Sequence, residues 1–284
     1  MDIFPRTTVG GVSLSRLIIG SNWFLGYSHT SAAKDRFIKG FQSRDNLVEI
    51  LKVFLSYGVD TVMGPPNPAF IETLDEAEQQ TWRRLIRILT PGFNIWGGET
   101  EGSSILADRA ASEALDICQK MGATFCLPHQ MVTDALIDKR AKVIRDMDVY
   151  SRMIRERGMI PGLSTHMPEA VTYADGTGAD VETYIQIYNA IGFLMQVEVD
   201  WVMRIIRNAK KPVMTIKPLA AGRLLPPVGL AFVWSTIRDQ DMVAIGTTTP
   251  DEAKESTELS LDFLSRRLPD NELQFTRSKL SLNV

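Results

Sequence analysis

Cysteine and histidine are scarce in this chain: its 284 residues include two of the first and three of the second. Cys118 and Cys126 both fall inside apolar segments. Buried thiols are therefore expected rather than a disulfide, and a metal site built of cysteine alone is excluded. Positive charge is not in excess either. The 31 Lys and Arg stand against 34 Asp and Glu, a formal net charge of −3, so no basic face for nucleic acid is expected. No apolar run approaches the roughly 18 residues of a membrane span. The opening Met1-Asp2-Ile3-Phe4-Pro5-Arg6 has neither the basic region nor the apolar core of a secretory signal. The chain is expected to be cytoplasmic, with a small-molecule substrate, no nucleic-acid or membrane partner, and an oligomeric state left open. Internal repeats and low-complexity stretches are missing as well.

What is present is core material, 44% hydrophobic against 23% charged. At this length that fits one (β/α)8 TIM barrel, a single domain over 1–284, more naturally than two small domains. The pattern is clearest from Phe193 to Ser256. There the short apolar runs FLMQVEV, PVMTIKPL and MVAIG alternate with helix-period segments, the rhythm of parallel βαβ units. The runs end in Gln196 and Glu198, in Lys217, and in Thr247 to Thr249. In a closed parallel barrel such strand ends deliver chemistry to one rim.

Read in order, TTVGGVSLSR predicts a β-hairpin turning at Gly10-Gly11. Arg16 to Gly20 is the first strand, followed by a long aromatic loop and a helix over Asn46 to Tyr57. Val59 to Met63 is strand two, Gly64 to Pro68 a stiff loop, and Glu72 to Leu89 a helix. Strand three is expected at Gly92 to Trp96, a helix at Ile105 to Met121, and strand four at Thr124 to Leu127, ending in Pro128-His129. A charged helix follows in DKRAKVIRDMDVYSRMIRERG. Strand five, Met159 to Leu163, ends in Ser164-Thr165-His166. Pro168 to Asn189 reads as helical with a surface insertion at ADGTGAD, and a polar tail follows Leu268.

Several residues on the expected rim could carry chemistry. All three histidines, His29, His129 and His166, fall at or just beyond strand ends. With Glu99, Glu101 and Glu198 they offer imidazole and carboxylate, which suits Zn2+, Mn2+ or Fe2+, although no local ligand spacing supports it. Gln196 and Glu198 share one side of their expected strand. Lys217 could bind an anion, donate a proton, form a Schiff base, or pair with Glu198. Trp23, Phe24 and Tyr27, with Asn22 ahead of them, either floor a substrate pocket or pack as an ordinary loop. Thr249 reads as the N-cap of a helix with Pro250 first and Glu252 closing a capping box.

In order along the chain, VGGVSLSRLIIGSN, YGVDT, FCLPH, GLST, QVE, KPLAAGRL and IGTTTPDEAKES are similar to segments of the aldo-keto reductases. The chain resembles a divergent member of that superfamily. The resemblance implies the barrel with its hairpin, and carbonyl reduction by a nicotinamide cofactor, NADP or NAD. It places the family's catalytic aspartate and histidine at Asp60 and His129. The nicotinamide contacts fall at Ser164 and Gln196, with Thr165 in place of an asparagine. The cofactor turn is matched by Gly246, Thr247 and Thr248, and the following helix by Glu255. The family's tyrosine and lysine have no counterpart, because the matching stretches read VMGPPNPAF and NIWGGE. Lys217 or His166 would then substitute as proton donor. Three readings follow: a variant reductase of small carbonyl or sugar-like compounds; a metal-dependent lyase, isomerase or hydrolase using His29, His129, His166, Glu99 and Glu198; and a ligand-binding barrel without turnover.

Overall fold

Gly10 and Gly11 both adopt positive φ, 54° and 82°, the conformation a two-residue hairpin turn requires and a Cβ resists. Strand β1 (Arg6–Val9) therefore pairs antiparallel with β2 (Val12–Ser15). Val9 and Leu14 on this hairpin are buried together with Ile18, Phe125, Met214 and Met242, inside the barrel. The hairpin thus plugs one end. The computed structural model describes residues 3–95 and 103–267.

The barrel strands are β3 (Leu17–Gly20), β4 (Thr61–Gly64), β5 (Ile86–Leu89), β6 (Phe125–Cys126), β9 (Ile160–Pro161), β10 (Leu163–Ser164), β11 (Tyr184–Ile187), β12 (Val213–Ile216) and β13 (Met242–Ile245). All their pairings are parallel. These nine pieces fill eight barrel positions. The fifth position is shared by β9, which pairs with β6, and β10, which pairs with β11, with Gly162 between them. A Cβ on Gly162 would lie 2.6 Å from Leu127 Cγ, so the wall closes tightly only with glycine at the break. A short hairpin, β7 (Ile137–Asp138) with β8 (Val143–Ile144), lies outside the barrel.

The helices are α1 (Ala32–Phe41), α2 (Arg44–Ser56), α3 (Pro68–Thr81), α4 (Ser103–Lys120), α5 (Gln130–Thr133), α6 (Met147–Glu156), α7 (Pro168–Thr177), α8 (Val199–Asn208), α9 (Pro226–Thr236) and α10 (Pro250–Leu264). Leu51, Phe54, Leu74, Leu115, Ile154, Val202, Leu230 and Leu259 bury their side chains in the shell between helices and strands. Each such burial contributes about 1.5–3 kcal/mol before conformational entropy is counted. Helix α10 packs on both α9 and α2, which closes the helical ring. No described helix is long and apolar enough to cross a membrane. Cys118 and Cys126 are buried free thiols, as expected.

Six expectations are corrected. The third strand is Ile86–Leu89, not Gly92 to Trp96, and the preceding helix stops at Thr81. A run as short as Ile86-Arg87-Ile88-Leu89 cannot be told from the tail of a buried helix by periodicity. Here Glu78 breaks the ambiguity by accepting the Leu85 N–H at 2.7 Å just ahead of the strand. The sixth strand is Tyr184–Ile187, and Phe193 to Glu198 is the loop entering α8. The Pro168–Asn189 segment is helical only to Thr177, where Gly178 caps it at φ 70°. The DKRAK stretch forms the β7–β8 turn region rather than a helix, and α1 occupies the aromatic loop behind its N-cap Ser31. Trp96, Glu99, Glu101 and the polar tail after 268 lie outside the described residues.

Candidate active site

The C-terminal ends of the barrel strands surround a cavity of about 690 Å³. Lys217, directly after β12, lines it, and its ammonium Nζ lies 3.4 Å from His29 Nε2. Both residues hold left-handed backbone conformations, φ 60° and 57°. For a residue with a Cβ each costs on the order of 1 kcal/mol. The chain is thus strained at the two places that aim an amine and an imidazole at each other. Burial lowers the Lys217 pKa to about 8, since a cation loses hydration in the cavity. Among the described residues no carboxylate pairs with it.

The other two histidines complete the wall. His129 follows β6 and caps α5, its Nδ1 accepting the Met131 N–H at 3.4 Å. Burial first, then the Lys217 charge, lowers its pKa. His166 follows β10, and its backbone N–H donates to both Asp134 carboxylate oxygens at 3.3 and 3.2 Å. Its pKa falls to about 4, through burial, then Lys217, then the other two histidines. Partial burial followed by Lys217 lowers His29 as well, partly opposed by a hydrogen bond to the Tyr27 backbone and by Asp35. Near neutral pH the cavity therefore holds one ammonium among neutral imidazoles.

Asn22, Trp23 and Tyr27 line the mouth, but Phe24 does not: it is buried edge-on against Phe70 at 6.2 Å. Ser164 lines the cavity. Thr165 is fully buried and donates its hydroxyl proton to Asp134. On the far side Gly246, Thr247, Glu252, Glu255 and Ser256 line an arm beside the start of α10. Thr249 caps that helix, accepting the Glu252 N–H at 3.1 Å. The reciprocal bond falls one residue earlier than expected, as Glu252 Oε2 accepts from the Thr248 N–H at 2.6 Å and its hydroxyl at 2.7 Å.

Three site expectations are corrected. Asp60 stands before β4, at the plugged end, where it pairs with Arg6 at 2.8 Å and accepts the Ser15 N–H at 3.3 Å. The rim end of the same strand offers Met63 and Gly64 instead. Gln196 is exposed in the loop before α8, and Glu198 is the exposed N-cap residue of that helix, so neither lines the cavity nor pairs with Lys217. The glutamine on the sixth strand is Gln186, fully buried, with Oε1 lacking a partner. The three histidines do converge, yet among the described residues no group of three His, Cys, Asp or Glu is placed to hold a metal ion.

Sequence reasoning missed Ser21. Its hydroxyl and that of Thr247 are buried in cavity-lining residues without any hydrogen-bond partner. No sequence signal marks them, because partnership is a tertiary property.

No protein-family model matches the sequence, and no curated protein matches it. Solved structures do. A Pseudomonas aeruginosa protein assigned to the aldo-keto reductases superposes with TM-score 0.66 at 14% identity, covering 93% of this chain and 98% of that one. An aldo-keto reductase from Brucella melitensis gives 0.57 at 13% identity, over 95% of each chain. One from a Medee basin deep-sea metagenome library gives 0.57 at 10%, over 95% of this chain and 97% of that one. Likeness at this identity speaks for architecture, and the architecture of this chain is that of the aldo-keto reductases, a (β/α)8 barrel with an N-terminal hairpin across its base.

Proposed function

We propose that the chain is an oxidoreductase that reduces a small carbonyl compound with a nicotinamide cofactor, and that Lys217 is its proton donor. The observation that carries this reading is the Lys217 ammonium, held in the cavity without a described carboxylate partner and with a pKa of about 8. A general acid works best with a pKa near the operating pH. His166, with a pKa near 4, is neutral there and suits orienting a carbonyl rather than protonating it.

The residues present fit a cofactor. Two buried hydroxyls, of Ser21 and Thr247, have no partner, and a ligand in the cavity would satisfy them. A Cβ on Gly246 would lie 2.6 Å from Trp23 Cδ1, so glycine keeps this floor open. Ser164, Gly246, Thr247 and Ser256 would hold the cofactor, which when bound supplies the hydride. Lys217 gives its proton to the carbonyl oxygen as the carbon is reduced, leaving a neutral amine and a hydroxyl product. His29, exposed at the mouth and 3.4 Å away, returns a proton from solvent.

The test is a fluorescence titration with NADH and NADPH, followed by cofactor oxidation over a panel of short aldehydes, ketones and sugars. Lys217→Met is expected to keep cofactor binding and to lose turnover by about 100-fold or more. Absence of saturable binding up to millimolar cofactor, or undiminished turnover in the variant, would overturn the reading.

A further inference from the structure

The two ends of the cavity differ in charge. Among the described residues that line it, Lys217 is the only lysine or arginine, and it stands with the histidines. The arm beside α10 carries Glu252 and Glu255 together with the hydroxyls of Thr247 and Ser256. A helix start would ordinarily offer its free N–H groups to a phosphate. Here Glu252 takes the Thr248 N–H and hydroxyl for its own carboxylate, and Thr249 takes the Glu252 N–H. The first donors of the turn are already answered by an anion carried on the chain. The cations described nearby stand outside the lining: Lys34 sits over the Trp23 ring at 5.8 Å, Arg223 stacks over Phe193 at 4.0 Å, and neither they nor Lys254 line the cavity.

A second observation points to a ligand in the same arm. Thr247 is 3% exposed, lines the cavity, and its Oγ1 has no hydrogen-bond partner. An uncharged diol satisfies all of these groups at once, since its hydroxyls donate to carboxylates and exchange a hydrogen bond with Thr247. A phosphate monoester brings close to two negative charges against Glu252 and Glu255. We infer that this arm receives an unphosphorylated ribose, so that the cofactor is NADH rather than NADPH, with Glu252 as the specificity-determining residue. The inference rests on the reductase reading above.

The experiment titrates the full chain with NADH, NADPH, 5′-AMP and adenosine 2′,5′-bisphosphate at low ionic strength, where charge discrimination is least screened. NADH is expected to bind about tenfold or more tighter than NADPH, with AMP favoured over the bisphosphate in the same sense. Glu252→Gln keeps an acceptor for the Thr248 cap and is expected to narrow the ratio. Glu255→Gln leaves the cap untouched and serves as the second variant. NADPH binding as tightly as NADH overturns the inference and leaves the reductase reading standing. A preference for NADH that neither variant narrows overturns the role of these carboxylates. Failure of both dinucleotides to bind overturns the parent reading and this one with it.

Discussion

Replacing Lys217 with methionine should make the protein more stable near neutral pH while it destroys turnover. The side chain keeps its approximate length and loses only its charge, and the left-handed backbone at this position, φ 60°, is equally strained with either residue. Burial depresses the Lys217 pKa from 10.5 to about 8. A lysine whose folded pKa lies below its unfolded value opposes folding fully below the folded pKa. That opposition fades as pH rises from about 8 towards 10.5, where the unfolded chain still binds the proton that the folded protein has released. At 1.36 kcal/mol per pKa unit the opposition amounts to roughly 3 kcal/mol near pH 7 and about 1 kcal/mol near pH 10. The variant should therefore melt on the order of 5 °C higher than the parent at pH 7, and the difference should shrink at pH 10. Paired thermal melts at the two pH values measure it, and titrating groups that do not sense Lys217 cancel in the comparison. A variant that melts lower at pH 7, or a difference that does not change with pH, would show that Lys217 is not a desolvated free ammonium and would remove the basis for its role as acid.

His166 supplies the converse test at acidic pH. Its pKa is depressed to about 4, so the parent should lose about 2 kcal/mol between pH 7 and 5 as the unfolded chain takes up a proton the folded protein refuses. Urea denaturation of His166→Gln should lack that loss, and an identical loss in the variant would refute the burial of a neutral ring. Asp60→Asn should leave turnover within about twofold of the parent, because its carboxylate pairs with Arg6 at the plugged end. The change should cost about 1 kcal/mol or less, the worth of a partly exposed ion pair. A collapse of activity in a folded Asp60→Asn protein would contradict this placement.

The barrel was legible wherever a β-branched run was bounded by residues that end a strand. Val213–Ile216 before Lys217-Pro218 and Met242–Ile245 before Gly246 are of this kind. It was illegible where the boundary carries no such signal. Helix α3 ends on Trp82 in a left-handed conformation, φ 56°, a place where glycine would have announced the stop and tryptophan does not. The glycines in ADGTGAD did announce a stop, but the run FLMQVEV behind them imitated a strand, although Leu194 is 44% and Val197 41% exposed. That error moved the sixth strand from Tyr184–Ile187 to the run beginning at Phe193 and took Gln196 and Glu198 with it. For the site, Lys217, His129 and His166, read at or just beyond a strand end, do line the cavity. Asp60 was placed badly because it stands on the other side of a strand only four residues long, where a short shift changes one end of the barrel for the other. The partnerless hydroxyls of Ser21 and Thr247 depend on groups brought together from β3 and β13 and could not be read at all.

All three histidines of the chain line the cavity. One-dimensional proton or nitrogen-15 spectra of selectively histidine-labelled protein would thus contain three ring systems and no background from elsewhere on the molecule. Each ring senses Lys217, so neutralising that ammonium should move all three titration midpoints upward together. Whatever enters the cavity, substrate, cofactor or inhibitor, will be visible in resonances that the sequence has already confined to the one place where binding matters.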